Sequence, residues 1–253
     1  MKKLYIPFIF LLLMCFSSCV DIEERYDFKP DGACNVVYGF DMSKAVSVLT
    51  NLLTDSVRDT PQFSLAKDTV LNYYTALPDS VTQKMNADEA KMAQGSELGV
   101  KMDLKNSVMK VSIMHDAKNA ADLQYYLQHI NSLSMNGELR RVTNSKETAN
   151  FDAQPLLAGQ GYYNYEITPH KFYRIIDKDK FNAFLKKVGS KFAMAKAMLI
   201  DMPYKVVLNF AKPVKKVDNS KAVLSADRKS VTLVTSMDEV MKNPALMNLK
   251  IDF

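Results

Sequence analysis

The sequence predicts an α+β fold: a single domain in which one twisted antiparallel sheet, built from β-hairpin–helix units, carries its helices mainly on one face. Three observations carry this expectation. A strand–turn–strand–Asp–helix order occurs three times, with turns centred near residues 31, 106 and 170. The spacing is too irregular for a solenoid repeat, so each helix is expected to fold back on the sheet its own hairpin extends. The chain is 47% hydrophobic with only 8 glycines and 9 prolines in 253 residues, enough apolar matter for a large core and too little Gly and Pro for a collagenous or mostly disordered chain.

The elements follow in order. Residues 1–18 read as a signal peptide. Lys2 and Lys3 precede the apolar run Leu4–Phe16, and the small Ser17 and Ser18 follow it. The run has 13 residues, and acidic Asp21, Glu23 and Glu24 block its extension. A membrane-spanning helix needs about 20 apolar residues, so a cleaved leader is the better reading. The segment Phe16-Ser17-Ser18-Cys19 resembles the lipobox of bacterial lipoproteins, with Phe16 where a leucine-like residue is usual. That resemblance implies acylation of Cys19 with diacylglycerol and a further chain such as palmitate. Cys15 follows Met14, too large a residue for the position before a cleavage site. Ordinary cleavage nearby, with Cys19 a plain thiol, is the alternative. Two or more acyl chains anchor durably where one is marginal. Residues 19–26 then form a lipidated acidic tether, and "CVDIEERY" resembles the tethers of surface or outer-membrane lipoproteins of Gram-negative bacteria. In those families an acidic run after the cysteine directs export to the outer surface. The expected location is thus the outer membrane, lipid-anchored, on its surface or periplasmic side.

The domain proper is expected over 27–253. Pro30-Asp31-Gly32 turns between two aromatic-rich strands, and Asp41 or Ser43 starts a helix with Val46, Leu49 and Leu53 on one stripe. A helix over 78–94 ending at Gly95 is expected next. Val100, Met102 and Leu104 alternate, as do Met109, Val111 and Ile113 beyond the Asn106-Ser107 turn; Asp116 or Asn119 then opens a helix with Leu123, Tyr126, Leu127 and Ile130 facing inward. Residues 134–160 read as a loop. The third unit alternates Tyr163, Tyr165 and Ile167, turns at Pro169-His170, returns over Phe172–Ile176 and starts a helix, Asp179–Ile200, at Asp177 or Asp179. The end reads as strands with a short helix after Asp238 and a polar turn at Asp227–Ser230.

Cysteine use fits an exported chain. With Cys15 lost and Cys19 acylated, Cys34 has no partner for an internal disulfide, so the domain must be held by its core. Cys34 lies in an apolar stretch and reads as a small buried hydrophobe rather than a reactive thiol. The formal charge is +5, unevenly spread: residues 20–170 hold 14 basic and 20 acidic residues, and 171–253 hold 17 and 8. The basic third fits either a solvated lysine surface or contact with anionic headgroups or acidic glycans. No nucleic-acid motif is present.

Motifs for chemistry are absent. His115, His129 and His170 have no zinc-ligand spacing, and there is no nucleophile elbow, phosphate-binding glycine loop or calcium loop. The sequence therefore points to no cofactor, metal or catalytic residue. Two features suggest binding. The aromatic hairpin Tyr162, Tyr163, Tyr165, Phe172 and Tyr173 offers faces that stack on sugar rings, although aromatics also simply favour strands. Lys187 and Lys191, with Phe181, Phe184 and Leu185, belong to a basic amphipathic pattern that fits either a helix packed on the sheet with its lysines in water or a lipid surface or pocket. Thirteen methionines after the leader suit a pliable core or a surface that re-packs. The segment "VVLNFAKPVKKVDNSKAVLSADRKSVTL" resembles the strand–Pro-Val–turn–strand segment of LppM-type lipoprotein domains, lacking their terminal tryptophan; the resemblance implies a lipid- or glycolipid-related role. The expected function is a non-enzymatic binding or envelope-maintenance module for a lipid or other hydrophobic ligand, with an apolar cavity between sheet and helices. The alternative is a surface glycan-binding or adhesion module, and the third an enzyme whose site shows no motif.

Overall fold

The computed structural model describes residues 20–58, 60, 64, 66–132, 160–186 and 202–253. Strands β1 (Asp21–Phe28) and β2 (Cys34–Asp41) form the first hairpin, followed by helices α1 (Ser43–Leu52) and α2 (Asp55–Arg58). Strand β3 (Ala66–Asn72) leads into α3 (Tyr73–Ala76), α4 (Asp79–Thr82) and α5 (Ala87–Gln94). The second hairpin is β4 (Ser96–Asp103) with β5 (Val108–Ala117), followed by α6 (Ala120–His129) and a 3-10 turn, Ile130–Ser132. The third is β6 (Tyr163–Thr168) with β7 (Lys171–Ile176), followed by a helix, α7, described over 178–186. The chain closes with β8 (Pro203–Asn209), β9 (Lys216–Asp218), β10 (Val223–Leu224), β11 (Ser230–Ser236), α8 (Met237–Lys242), a 3-10 turn Pro244–Met247, and β12 (Leu249–Asp252).

The α+β class holds, but the strands form two sheets rather than one. The first has eight strands in the order β10-β11-β8-β1-β2-β5-β4-β3, antiparallel except for the parallel β1–β8 pair. The second has four antiparallel strands, β6-β7-β12-β9. The third hairpin is what departs from expectation. Its inward row, Tyr163, Tyr165 and Ile167 with Phe172, Arg174 and Ile176, is buried, and it faces the inner row of the first sheet instead of extending that sheet's edge. Tyr26 of β1 and Phe172 of β7 meet across the layer with ring centroids 5.2 Å apart. Eight strands present more inner apolar surface than short helices cover, and a second sheet buries it. Each large apolar side chain sealed there, such as Leu98, Ile113 or Leu208, contributes about 1.5–3 kcal/mol.

Helix α6 completes the second layer beside β6. Leu123, Tyr126 and Leu127 point into the core, and Gln124 Oε1 accepts from the Ile167 amide at 2.8 Å, satisfying a backbone group on the β6 edge. Asn119 caps this helix by accepting from the Asp122 amide. The layer between the sheets is filled by one contiguous set of buried side chains. The apolar cavity expected between sheet and helices is therefore a packed core among the described residues.

Three local readings also change. Residues 20–26, read as a tether, belong to the fold from Asp21 onward. Ile22, Glu24 and Tyr26 are the inward residues of β1, which sits in the middle of the eight-stranded sheet between β8 and β2. The helix expected over 78–94 is two helices. Asn86 breaks the run because its side chain accepts from the Asp88 and Glu89 amides while Glu89 returns a bond to the Asn86 amide, a capping box that starts α5 afresh. Strand β3 and α3 appear where no element was expected. Asn72 ends the strand and caps the helix, accepting from the Tyr74 and Thr75 amides.

The three turns lie where the sequence puts them. Gly32 has φ +87°, a conformation side chains rarely adopt, and Asp31 Oδ1 accepts from the Ala33 amide beside it. Asp177 Oδ1 accepts from the Asp179 and Lys180 amides at the start of α7. The loop read over 134–160, apart from Gln160, and the helix beyond 186 lie outside the described residues. No helix among the described residues is long and apolar enough to cross a membrane.

Candidate functional site: a buried polar lock and an aromatic end cleft

Two places in the fold concentrate chemistry. The first is interior. Glu24 on β1 and Arg174 on β7 are both fully buried, and Arg174 Nη1 donates to Glu24 Oε2 at 2.6 Å. Tyr26 donates to the same oxygen at 2.8 Å, while Tyr204 and Gln160 donate to Glu24 Oε1. Gln160 Oε1 in turn accepts from Tyr165 at 2.6 Å, and the Tyr38 and Tyr204 hydroxyls lie 3.3 Å apart. The guanidinium stacks over the Tyr163 ring with its Cζ 4.6 Å from the centroid. Burial disfavours the Arg174 charge, yet the Glu24 carboxylate holds its pKa above the ordinary value. Burial first, then Glu24, raises the Tyr26 and Tyr38 hydroxyls well above theirs, so both stay protonated. The carboxylate has four donors, one of them its paired cation, while the buried Arg174 Nε is left without a hydrogen-bond partner. The network ties β1, β7 and β8 together and offers no face to a substrate.

A second buried pair invites an enzymatic reading and does not sustain one. Ser96 Oγ is 2.9 Å from His115 Nδ1, but it donates its proton to the Met92 carbonyl at 2.7 Å. Both residues are sealed from solvent, and the His115 ring is stacked on Tyr126 at 4.0 Å. Burial pushes His115 down to about 4, with Lys91 acting in the same direction against Asp122 and Asp116. The pair joins α5, β4, β5 and α6, and it is closed to solvent. No group of His, Cys, Asp or Glu that would hold a metal occurs among the described residues.

The second place is at the surface. A cleft of about 280 Å³ opens at the end of the layered sheets where β1 finishes. Its wall comes from the β1–β2 turn (Phe28 to Gly32), the start of α6 (Asn119, Ala120), the β6–β7 turn (Thr168 to His170), Ala211, Lys212 and the C-terminal Phe253. Phe28 and Phe253 line it, and buried Phe210 packs behind them. Phe28 stacks on Phe210 at 4.9 Å, and Phe253 sits 5.2 Å from Phe28 and 4.4 Å from Phe210. The Phe253 amide donates to the His170 carbonyl at 3.0 Å, fixing the chain end beside the β6–β7 turn. Lys29, His170 and Lys212 stand around the mouth with Asp31, so an apolar floor meets a rim with more cationic than anionic groups. A shallow open trough of about 550 Å³ also crosses the outer face of the eight-stranded sheet, over Gly39, Ser112 and Gly99. It is lined by Glu23, Val70, Ser112 and Met114 and by the Lys–Asp pairs Lys110–Asp41 at 2.7 Å and Lys101–Asp68 at 3.1 Å.

The residues singled out in the sequence fall elsewhere. Tyr163 and Tyr165 are core residues of the interior network and present no row of rings to solvent. Tyr173, on the opposite face of the same hairpin, is half-buried; its hydroxyl donates to Asp252 at 2.8 Å, and the Lys171 ammonium lies 5.2 Å from its ring centroid. Cys19, Lys187 and Lys191 lie outside the described residues. Cys34 is buried on β2, and burial raises its thiol pKa far above the ordinary value, as a small core residue requires. Sequence reading missed Glu24, Arg174, Gln160 and Tyr204. The signal was present for two of them: Glu24 shares the inward phase of Ile22 and Tyr26, and Arg174 that of Phe172 and Ile176. The cleft left no such signal. No protein-family model, curated protein or solved structure matches the chain.

Proposed function

We propose that the chain is an exported lipoprotein, anchored to the outer membrane through acylated Cys19, whose domain is a non-enzymatic binding or envelope-maintenance module with its ligand seat in the aromatic end cleft. The observation that carries the binding role is the cleft itself: the rings of Phe28 and Phe253, backed by buried Phe210, under a rim of Lys29, His170 and Lys212. Such a combination suits a ligand with an apolar body and a polar or anionic edge. A lipid or glycolipid fits that description, in keeping with the resemblance of the C-terminal segment to LppM-type domains. The glycan-binding alternative keeps only Tyr173 of the three hairpin tyrosines as an accessible ring.

The anchor and the seat are tested apart. Cys19→Ala should move the protein from the membrane fraction to the soluble one; continued membrane association would refute the anchor. For the seat, lipids and glycans that co-purify with the mature chain are identified by mass spectrometry. The same extraction is repeated on Ala120→Trp, which fills the cleft from the first residue of α6. The proposal expects a bound species that the tryptophan variant loses. An unchanged yield from the filled cleft would place the ligand elsewhere.

A further inference from the structure

Strand β1 starts at Asp21, so Val20 alone separates it from Cys19. Two residues span at most about 7 Å. An acylated Cys19 would therefore set one particular end of the eight-stranded sheet against the headgroups, with little freedom to swing. That end also holds Asp41, the β2 residue paired with Asp21, and α1, which begins two residues later. Lys44 of α1 reaches back to Asp21, with Nζ 3.5 Å from Oδ2. At about 1.5 Å per residue, the far end of α1 is only about 12 Å beyond Lys44.

The outward face of this helix carries two large apolar side chains beside Lys44 and Asn51. Lys44, Val48, Asn51 and Leu52 are exposed at i, i+4, i+7 and i+8, one face of the helix. Val48 is 51% and Leu52 76% exposed, the latter the most exposed large hydrophobic side chain among the described residues. Single exposed leucines need no explanation. Here Val48 and Leu52 stand one turn apart on the element tied to the anchor, and Ser43–Leu52 contains no acidic residue. Two acids at this end are paired with lysines, Asp21 with Lys44 and Asp41 with Lys110, which lessens repulsion from an anionic surface, while Asp103 there is held by Asn106.

We propose that this face of α1 is a second membrane contact, in which Val48 and Leu52 enter the interfacial layer of the bilayer that holds the lipidated cysteine. The inference rests on the reading of Cys19 as acylated. It has a functional consequence. Strand β1 runs about 25 Å from the anchored end to Phe28, so with both contacts made, the end cleft points away from the membrane.

The test uses the full mature chain with its native lipid, reconstituted in vesicles of phosphatidylethanolamine and phosphatidylglycerol. An environment-sensitive fluorophore is attached at Val48→Cys, at Leu52→Cys, or at Lys212→Cys beside the cleft; buried Cys34 stays unlabelled. Doxyl-labelled lipids should quench the probes at 48 and 52 several-fold more than the probe at 212, with a blue-shifted emission at the first two positions only. Equal quenching at all three positions, on protein whose mass shows an acylated Cys19, overturns the α1 contact and leaves the anchor standing. A chain that lacks the acyl mass and does not float with the vesicles overturns both.

Discussion

Removing one side of the Glu24–Arg174 pair should be among the most damaging single changes this fold can suffer. Arg174→Met keeps the volume near that of the arginine stem but leaves the Glu24 carboxylate fully buried with only the neutral donors Tyr26, Tyr204 and Gln160. Glu24→Gln keeps the shape but turns one acceptor oxygen into a donor facing donors and strands the guanidinium. Breaking a buried pair from one side costs about 3–5 kcal/mol, because the surviving charge stays out of water without its partner. The double variant removes both charges at once and should recover part of that loss, a coupling of about 2–3 kcal/mol. Urea unfolding of the mature chain with Cys19→Ser measures all four proteins, with the cycle closed at one temperature and salt. Single-variant costs below about 1 kcal/mol, or costs that simply add, would refute the reasoning, since neither is compatible with two desolvated charges held by each other.

Three further outcomes follow from the same geometry. His115 is held neutral by burial at about 4 against an ordinary 6.5, so its contribution is present above pH 6.5 and is lost as the pH falls towards 4; at pH 5 the loss should be about 2 kcal/mol, and His115→Phe, which keeps the ring on Tyr126, should show a correspondingly flatter stability profile between pH 7 and 5. At Gly99 an added Cβ would lie 2.5 Å from Ser112 Oγ; Gly99→Ala should cost about 1–3 kcal/mol by overpacking, and combining it with Ser112→Ala should restore most of the loss in the same urea assay. Asn86→Ala removes the cap of α5 and should lower stability by about 1 kcal/mol, read as a shift in urea midpoint with an unchanged slope.

The parts of the fold legible in the sequence are those specified by neighbours in the chain. Pro30-Asp31-Gly32 sets a turn through one glycine conformation, and Asn119 and Asp177 start helices by accepting from amides two or three residues on. The hairpin pairs β1–β2, β4–β5 and β6–β7 follow from such turns and from alternation. Which edges then join is decided by contacts far apart in sequence. Strand β1 pairs in parallel with β8 about 180 residues later, and β7 recruits β12, so a single extended sheet and a pair of facing sheets read alike locally. Edge strand β3 escaped because its residues are at best half-buried and its alternation carries few apolar side chains. The cleft escaped for a different reason. Its five contributing segments are ordinary turns and termini, and only their convergence makes a concavity.

The acidic stretch after Cys19 shows how strand parity sorts residues that composition treats alike. Asp21, Glu23 and Glu24 read together as one charged tether. In the fold, Asp21 and Glu23 lie on the outer face of β1, where Lys44, Arg25 and Lys205 meet them in water. Such exposed pairs contribute little to stability. Glu24 lies on the other face, where Arg174, the Tyr26 and Tyr204 hydroxyls and the Gln160 amide converge on it. On the proposal that the acidic run directs surface export, that role in the folded chain falls to the outward Asp21 and Glu23. Neutralising them should alter location without altering stability, whereas neutralising Glu24 acts through the core. An export defect in a Glu24 variant that also unfolds early says nothing about targeting. The same defect in Glu23→Gln, at unchanged urea midpoint, is the result that bears on it.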